Sequence, residues 1–108
     1  MTKPSKVTLS PGVDAWLRKA KDAPALIPKY KKVRKAIRFM REVGPSHPGF
    51  ETHAMSNLKG PEGRQIWNSY IENHTPGAWR MYWIYGTDGE VYVTSVGPHD
   101  HAPGGASG

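Results

Sequence analysis

Apolar residues change their spacing along this chain, and the change divides it near Gly44. Before Gly44 they recur every three or four positions; beyond it they tend to alternate. Val7-Thr8-Leu9 predicts a short opening strand. Ser10-Pro11 follows as a favourable helix start, because a Ser hydroxyl accepts from free backbone N–H groups and Pro fits the first helical position. The first helix is expected from Pro11 to about Lys21, burying Val13, Trp16, Leu17 and Ala20. Asp14 stands in its first turn, where the helix dipole favours an acid. The second helix is expected from about Ala25 to Val43, with Leu26, Tyr30, Val33, Ile37 and Met40 forming one apolar stripe. Pro28 falls in its early turns, where it is either tolerated or delays the start. Gly44-Pro45 ends it, and the pair reads as a helical hairpin bent near Pro24.

The second half reads as sheet. Residues 46–49 form a turn, Phe50 to Leu58 is irregular or weakly extended, and residues 59–63 form a second turn region. Ile66 to Glu72 predicts a strand with Trp67, Ser69 and Ile71 on one face and Ile66, Asn68 and Tyr70 on the other. A turn over His74-Thr75-Pro76-Gly77 leads into an aromatic strand from Ala78 to Tyr85. Thr87-Asp88-Gly89 signals a hairpin, and Val91 to Val96 returns as the third strand of an antiparallel meander. The helices need this sheet to cover their apolar stripes. Residues 1–100 therefore read as one α+β domain, in which a short N-terminal strand and a two-helix hairpin accompany an antiparallel β-meander. Residues 101–108 offer no large apolar side chain and are expected to form a disordered tail.

Charge sharpens the division. The 108 residues carry a net charge of +6, but residues 1–41 hold twelve basic and two acidic side chains, whereas residues 42–108 hold three and seven. A one-sided positive field favours nucleic acid, an acidic protein or an anionic surface; the bland alternative is a solvated helix face. The absence of cysteine excludes disulfides, thiol chemistry and cysteine-ligated metals. No apolar run approaches the roughly 18 residues that a membrane span requires, and Met1 to Lys6 does not lead into a secretory signal, so a cytoplasmic protein without a membrane partner is expected. Neither a phosphate-binding glycine loop nor a zinc-protease helix motif is present, and the histidines follow no metal-ligand spacing. No metal or cofactor is expected.

The stretches HPGFETHAMSNLKG, WNSYIEN, GAWRMYWIYG and VYVTSVGPH, in that order, resemble the RelE/ParE toxin superfamily of bacterial toxin–antitoxin systems. The resemblance covers about residues 7 to 100 and rests on a series of weak matches rather than one diagnostic motif. It implies a compact toxin neutralised by an acidic antitoxin. The RelE-like branch, favoured here, cleaves mRNA in the ribosomal A site; the ParE-like branch inhibits DNA gyrase. A basic nucleic-acid- or protein-binding module on the same fold is the non-catalytic alternative.

Arg80 is the foremost candidate, the one arginine beyond Gln65 and the centre of an aromatic strand. Alternation sets it on the face of Tyr82 and Ile84, opposite Trp79, Met81 and Trp83. A guanidinium there needs either a counter-anion, such as Glu72 or Glu90, or an anionic ligand to which it offers two parallel donors. Trp79-Arg80-Met81-Tyr82 resembles the strand in which RelE-like toxins carry a phosphate-contacting arginine. The resemblance also points to His99 as an acid, base or stacking group, and to the region of His53, a candidate second proton-transfer group; Asp100 is a candidate to orient one of the imidazoles. Lys59 and Arg64 are phosphate-binding candidates, and Tyr70 and Tyr82 are candidates for stacking on bases. Lys31, Arg34, Lys35, Arg38 and Arg41 on the second helix are candidates for gripping RNA. The sequence departs from the family pattern in the poverty of its sheet half, where Lys59, Arg64 and Arg80 are the only basic residues besides histidine.

Overall fold

A computed structural model of the chain describes residues 2–73 and 75–98. Strand β1 (Val7–Leu9) leads into helix α1 (Pro11–Ala20), and a 3-10 turn at Pro24–Leu26 leads into α2 (Ile27–Glu42). Strands β2 (His53–Lys59), β3 (Gln65–Tyr70), β4 (Trp79–Tyr85) and β5 (Val91–Pro98) follow. They make one five-stranded sheet in the order β1-β5-β4-β3-β2. The four later strands pair antiparallel, and β1 lies parallel to β5 with Val7 opposite Val91. The expected α+β architecture of a strand, a helical hairpin and a meander is the one observed.

Local chemistry explains the helix ends. Ser10 caps α1 by accepting from the Val13 amide at 3.2 Å, and its hydroxyl donates to the Thr94 carbonyl at 2.9 Å. The cap thus also fastens the helix to β5. Asp14 pairs with Arg18 one turn later at 2.9 Å. Pro28 delays the second helix: the chain first makes a 3-10 turn, and the α-helix begins at Ile27. Beyond α2, Gly44 adopts a φ of +99°, and a Cβ there would come within 3.0 Å of the Lys3 backbone. Only glycine meets both conditions without strain.

Both helices cover one face of the sheet. Val13 and Leu17 of α1 and Val33, Ala36, Ile37 and Met40 of α2 are buried with Phe50, Met81, Trp83, Val91 and Val93. Trp67 stacks on Trp83 with centroids 5.7 Å apart, and Trp16 meets Trp79 at 5.3 Å. The tryptophans at 67, 79 and 83 therefore pack on the helix side, as alternation predicts. The other face carries a smaller cluster of Ile66, Tyr82 and Ile84, flanked by Met55, Leu58 and Tyr92.

Two features depart from the sequence reading. Within the stretch from Phe50 to Leu58, expected to be irregular or weakly extended, and on to Lys59, expected in a turn, residues 53–59 form an edge strand whose register slips between Ala54 and Lys59. Its residues pair near the ends, and those whose burial is described are exposed or half-buried, so no clean alternation marks it. Strand β5 runs on to Pro98 and bulges: Tyr82 faces Ser95 but Trp83 faces Val93, leaving Thr94 as the extra residue. Its hydroxyl donates to the Tyr82 carbonyl at 3.0 Å, which pins the bulge.

Candidate functional site

The helix-free face of the sheet brings three of the predicted residues together. Antiparallel pairing sets Tyr70 opposite Arg80 and His53 opposite Asn68, two residues along β3 from Tyr70. The Arg80 guanidinium lies over the Tyr70 ring, its carbon 4.6 Å from the centroid, and Nη2 donates to the Tyr70 hydroxyl at 3.3 Å. His53 meets the same ring edge-on with centroids 6.1 Å apart. Tyr70 is thus the common neighbour of the other two.

Arg80 is half-buried, and its Nε is shielded from solvent without an acceptor. No carboxylate pairs with it among the described residues. The alternative of an ion pair with Glu72 is overturned, because Glu72 is engaged elsewhere. Its carboxylate accepts from Lys29 at 2.9 Å, from Lys32 at 2.8 Å and from the Trp79 amide at 3.0 Å. Burial of this carboxylate works against ionisation, but the Lys32, Lys29 and Trp79 donors outweigh it and bring the pKa down to about 2. Glu90 follows the β4–β5 turn, at the far end of β4 from Arg80. Among the described residues, Arg80 is held by a ring and a hydroxyl and by no carboxylate.

His53 is exposed at the start of β2, with Nδ1 3.0 Å from the Glu51 carbonyl. A carbonyl only accepts, so Nδ1 carries the proton, and in the neutral ring Nε2 keeps its lone pair. A base beside a half-buried guanidinium can take a proton from a hydroxyl while the guanidinium steadies a developing negative charge. Asn68, opposite His53, is fully buried; its amide nitrogen approaches Met55 Sδ at 3.6 Å and its Oδ1 lacks a donor among the described residues.

The other sheet candidates fall away from this cluster. Tyr82, expected as a stacking platform, is buried at 0% exposure among Ile66 and Ile84 and offers no face to a ligand. That expectation is corrected: β4 is a central strand, and the second apolar cluster closes over it. Lys59 donates to Gln65 at 3.3 Å, and Arg64 donates to the Tyr85 carbonyl at 2.8 Å and approaches Glu62 at 3.5 Å. They sit at the β2–β3 turn. Gln65 precedes Tyr70 by five residues, roughly 17 Å at about 3.4 Å per residue. His99 and Asp100 lie outside the described residues.

The predicted helix cations form a separate surface. Lys31, Arg34, Lys35, Arg38 and Arg41 line, with Tyr30, an open groove of about 500 Å³ along α2. Arg34 lies over Tyr30 at 5.9 Å, and Arg38 and Lys35 lie over Phe39 at 5.4 and 5.7 Å. None of these five is in a salt bridge among the described residues. Sequence reasoning missed the part of Tyr70 as the seat of Arg80, which follows from the strand register. It also passed over Lys29 and Lys32, whose signal was their place on the sheet-facing side of a basic helix.

An α+β sheet with a helical hairpin on one face and a lone stacked arginine on the other defines the architecture. Among solved structures it is similar to the YoeB dimer from Staphylococcus aureus, with a TM-score of 0.58, 15% sequence identity, and coverage of 91% of this chain and 99% of that one. That likeness shows a shared fold. No protein-family model matches the sequence, and no curated protein does so either. No helix among the described residues is long and apolar enough to cross a membrane.

Proposed function

We propose that this chain is the toxin of a toxin–antitoxin pair, a cytoplasmic, metal-independent endoribonuclease that cleaves mRNA on the ribosome. The observation that carries the reading is Arg80, stacked on Tyr70 without a carboxylate partner among the described residues and beside a histidine with a free ring nitrogen. The shared fold with YoeB, a RelE-family toxin, supports it. In this reading His53 Nε2 takes the proton from a ribose 2′-hydroxyl. The 2′-oxygen attacks the adjacent phosphorus, the bond to the 5′-oxygen breaks, and Arg80 stabilises the charge on the phosphoryl oxygens. His99, oriented by Asp100, protonates the leaving oxygen. The α2 cations hold RNA phosphates, and an acidic antitoxin competes for the same charge.

Primer extension on transcripts recovered after induced expression tests this. Cuts within translated codons, lost in Arg80→Ala while the variant stays folded, are expected. Full cleavage by Arg80→Ala would overturn the assignment. A second reading, a non-catalytic binder of the gyrase-inhibitor type, draws support from the distance of Lys59 and Arg64 from Arg80, which leaves a single guanidinium in the cluster. Intact transcripts together with gyrase inhibition would favour it.

A further inference from the structure

The Arg80 cluster and the α2 groove stand on different layers of the molecule, and a cleft shares one lining residue with each. This cleft, of about 410 Å³, opens between α2, the Pro48–Phe50 turn and the end of β3. Tyr70 lines it and also carries Arg80; Lys35 lines it and also lines the α2 groove. Through these two residues the cleft adjoins both surfaces.

We propose that this cleft is a nucleotide subsite, through which a single RNA strand passes from the Arg80 face to the α2 groove. The inference rests on the RNA-binding reading above and adds the route. The cleft's chemistry fits one nucleotide. Ala36, Phe39, Phe50 and Ile71 give it an apolar floor for a base, and Lys35 gives its rim a cation for a phosphate. His47 stacks on Phe39 at 4.4 Å and leans on Phe50 at 4.9 Å, which fixes its ring in the wall. Its Nδ1 accepts from the Gly49 amide at 3.2 Å, so Nε2 bears the proton and is a donor. Glu72 is the acid in the lining, and Lys29, Lys32 and the Trp79 amide already compensate its charge. An anion entering the cleft therefore meets no uncompensated carboxylate there. The route also accounts for the division of charge: a strand crossing the end of β3 uses one arginine on the sheet and a row of cations on the helix.

The test uses the full chain and a labelled decauridylate, with binding followed by anisotropy and the His47 imidazole resonance followed by NMR. Thr75→Trp fills the mouth of the cleft from an exposed position, and Lys35→Glu reverses the rim. The unaltered protein is expected to bind the probe with a shift at His47, and each variant to bind at least about fivefold more weakly, the lower end of what one stacked base contributes. If α2 variants weaken binding but the His47 resonance stays still and Thr75→Trp binds normally, the subsite falls while RNA binding stands. If the unaltered chain binds no RNA, both fall. A decaglutamate peptide that moves His47 and is displaced by Thr75→Trp to the same degree would make the cleft a peptide site and overturn the nucleotide assignment.

Discussion

Helix α2 and the helix-free face of the sheet both hold positive charge, under opposite conditions. Along α2 the five groove cations are exposed, three of them over aromatic rings, and belong to no salt bridge among the described residues. Such charges attract a polyanion at long range, and salt screens them within about 8–10 Å. On the sheet, Arg80 is half-buried, fixed by one ring and one hydroxyl, with its Nε shut away from water. A charge held this way contributes little to capture, and it acts strongly on a group brought against it. Number and exposure suit gathering a ligand; isolation and fixed geometry suit acting on it.

The sharpest way to break that contrast is Arg80→Ala. Loss of one preorganised donor is expected to lower RNA cleavage by about 100-fold or more, with RNA affinity nearly unchanged. Cleavage rate and binding measured on the same variant check it, and equal losses in both would merge the two roles. Next is Glu72→Gln, which removes the anion joining α2 to the sheet end. It should destabilise the fold by about 2 kcal/mol in denaturant titration. The sign of the pH effect follows from the depressed value: folded Glu72 titrates at about 2 against an ordinary 4.5. Its stabilisation is fully present above pH 4.5 and is lost as the pH falls through that window toward 2. The glutamine variant should therefore lose less stability than the unaltered chain over the same range. Reversing Arg34, Arg38 and Arg41 to Glu should weaken RNA binding by about tenfold at low salt and flatten its salt dependence, leaving thermal stability in place. The smallest effect is expected for Tyr70→Phe, which deletes the 3.3 Å hydrogen bond to Arg80 and keeps the ring, costing about fivefold in cleavage.

Particular elements show where the sequence was readable. The α2 stripe of Val33, Ile37 and Met40 and the faces of β3 and β4 follow from period alone, so helix and central strands were legible. Strand β2 was not, because an edge strand with a slipped register and exposed side chains leaves no alternation to read. Arg80 was legible as a lone charge between aromatics, but its seat on Tyr70 depends on a cross-strand register that the turn between residues 71 and 78 sets. The burial of Tyr82 was illegible for a related reason. Whether the second face of a central strand is covered depends on Met55, Leu58 and Tyr92 arriving from other strands. The Lys29 and Lys32 partners of Glu72 were illegible because ion pairs across layers leave no mark in sequence spacing.

The pairing of β1 with β5 has a consequence for how the molecule is made. Val7 finds its partner only when Val91 has been added, and Ser10 is fastened to Thr94, 84 residues later. Joining segments so distant along the chain carries a large loop-closure cost and slows folding. Helix α1, which packs on β5, therefore gains its anchor only after that strand has been made. The Arg80 cluster, carried by β2, β3 and β4, is encoded before that closure, so the working face precedes the strand that locks the first helix in place.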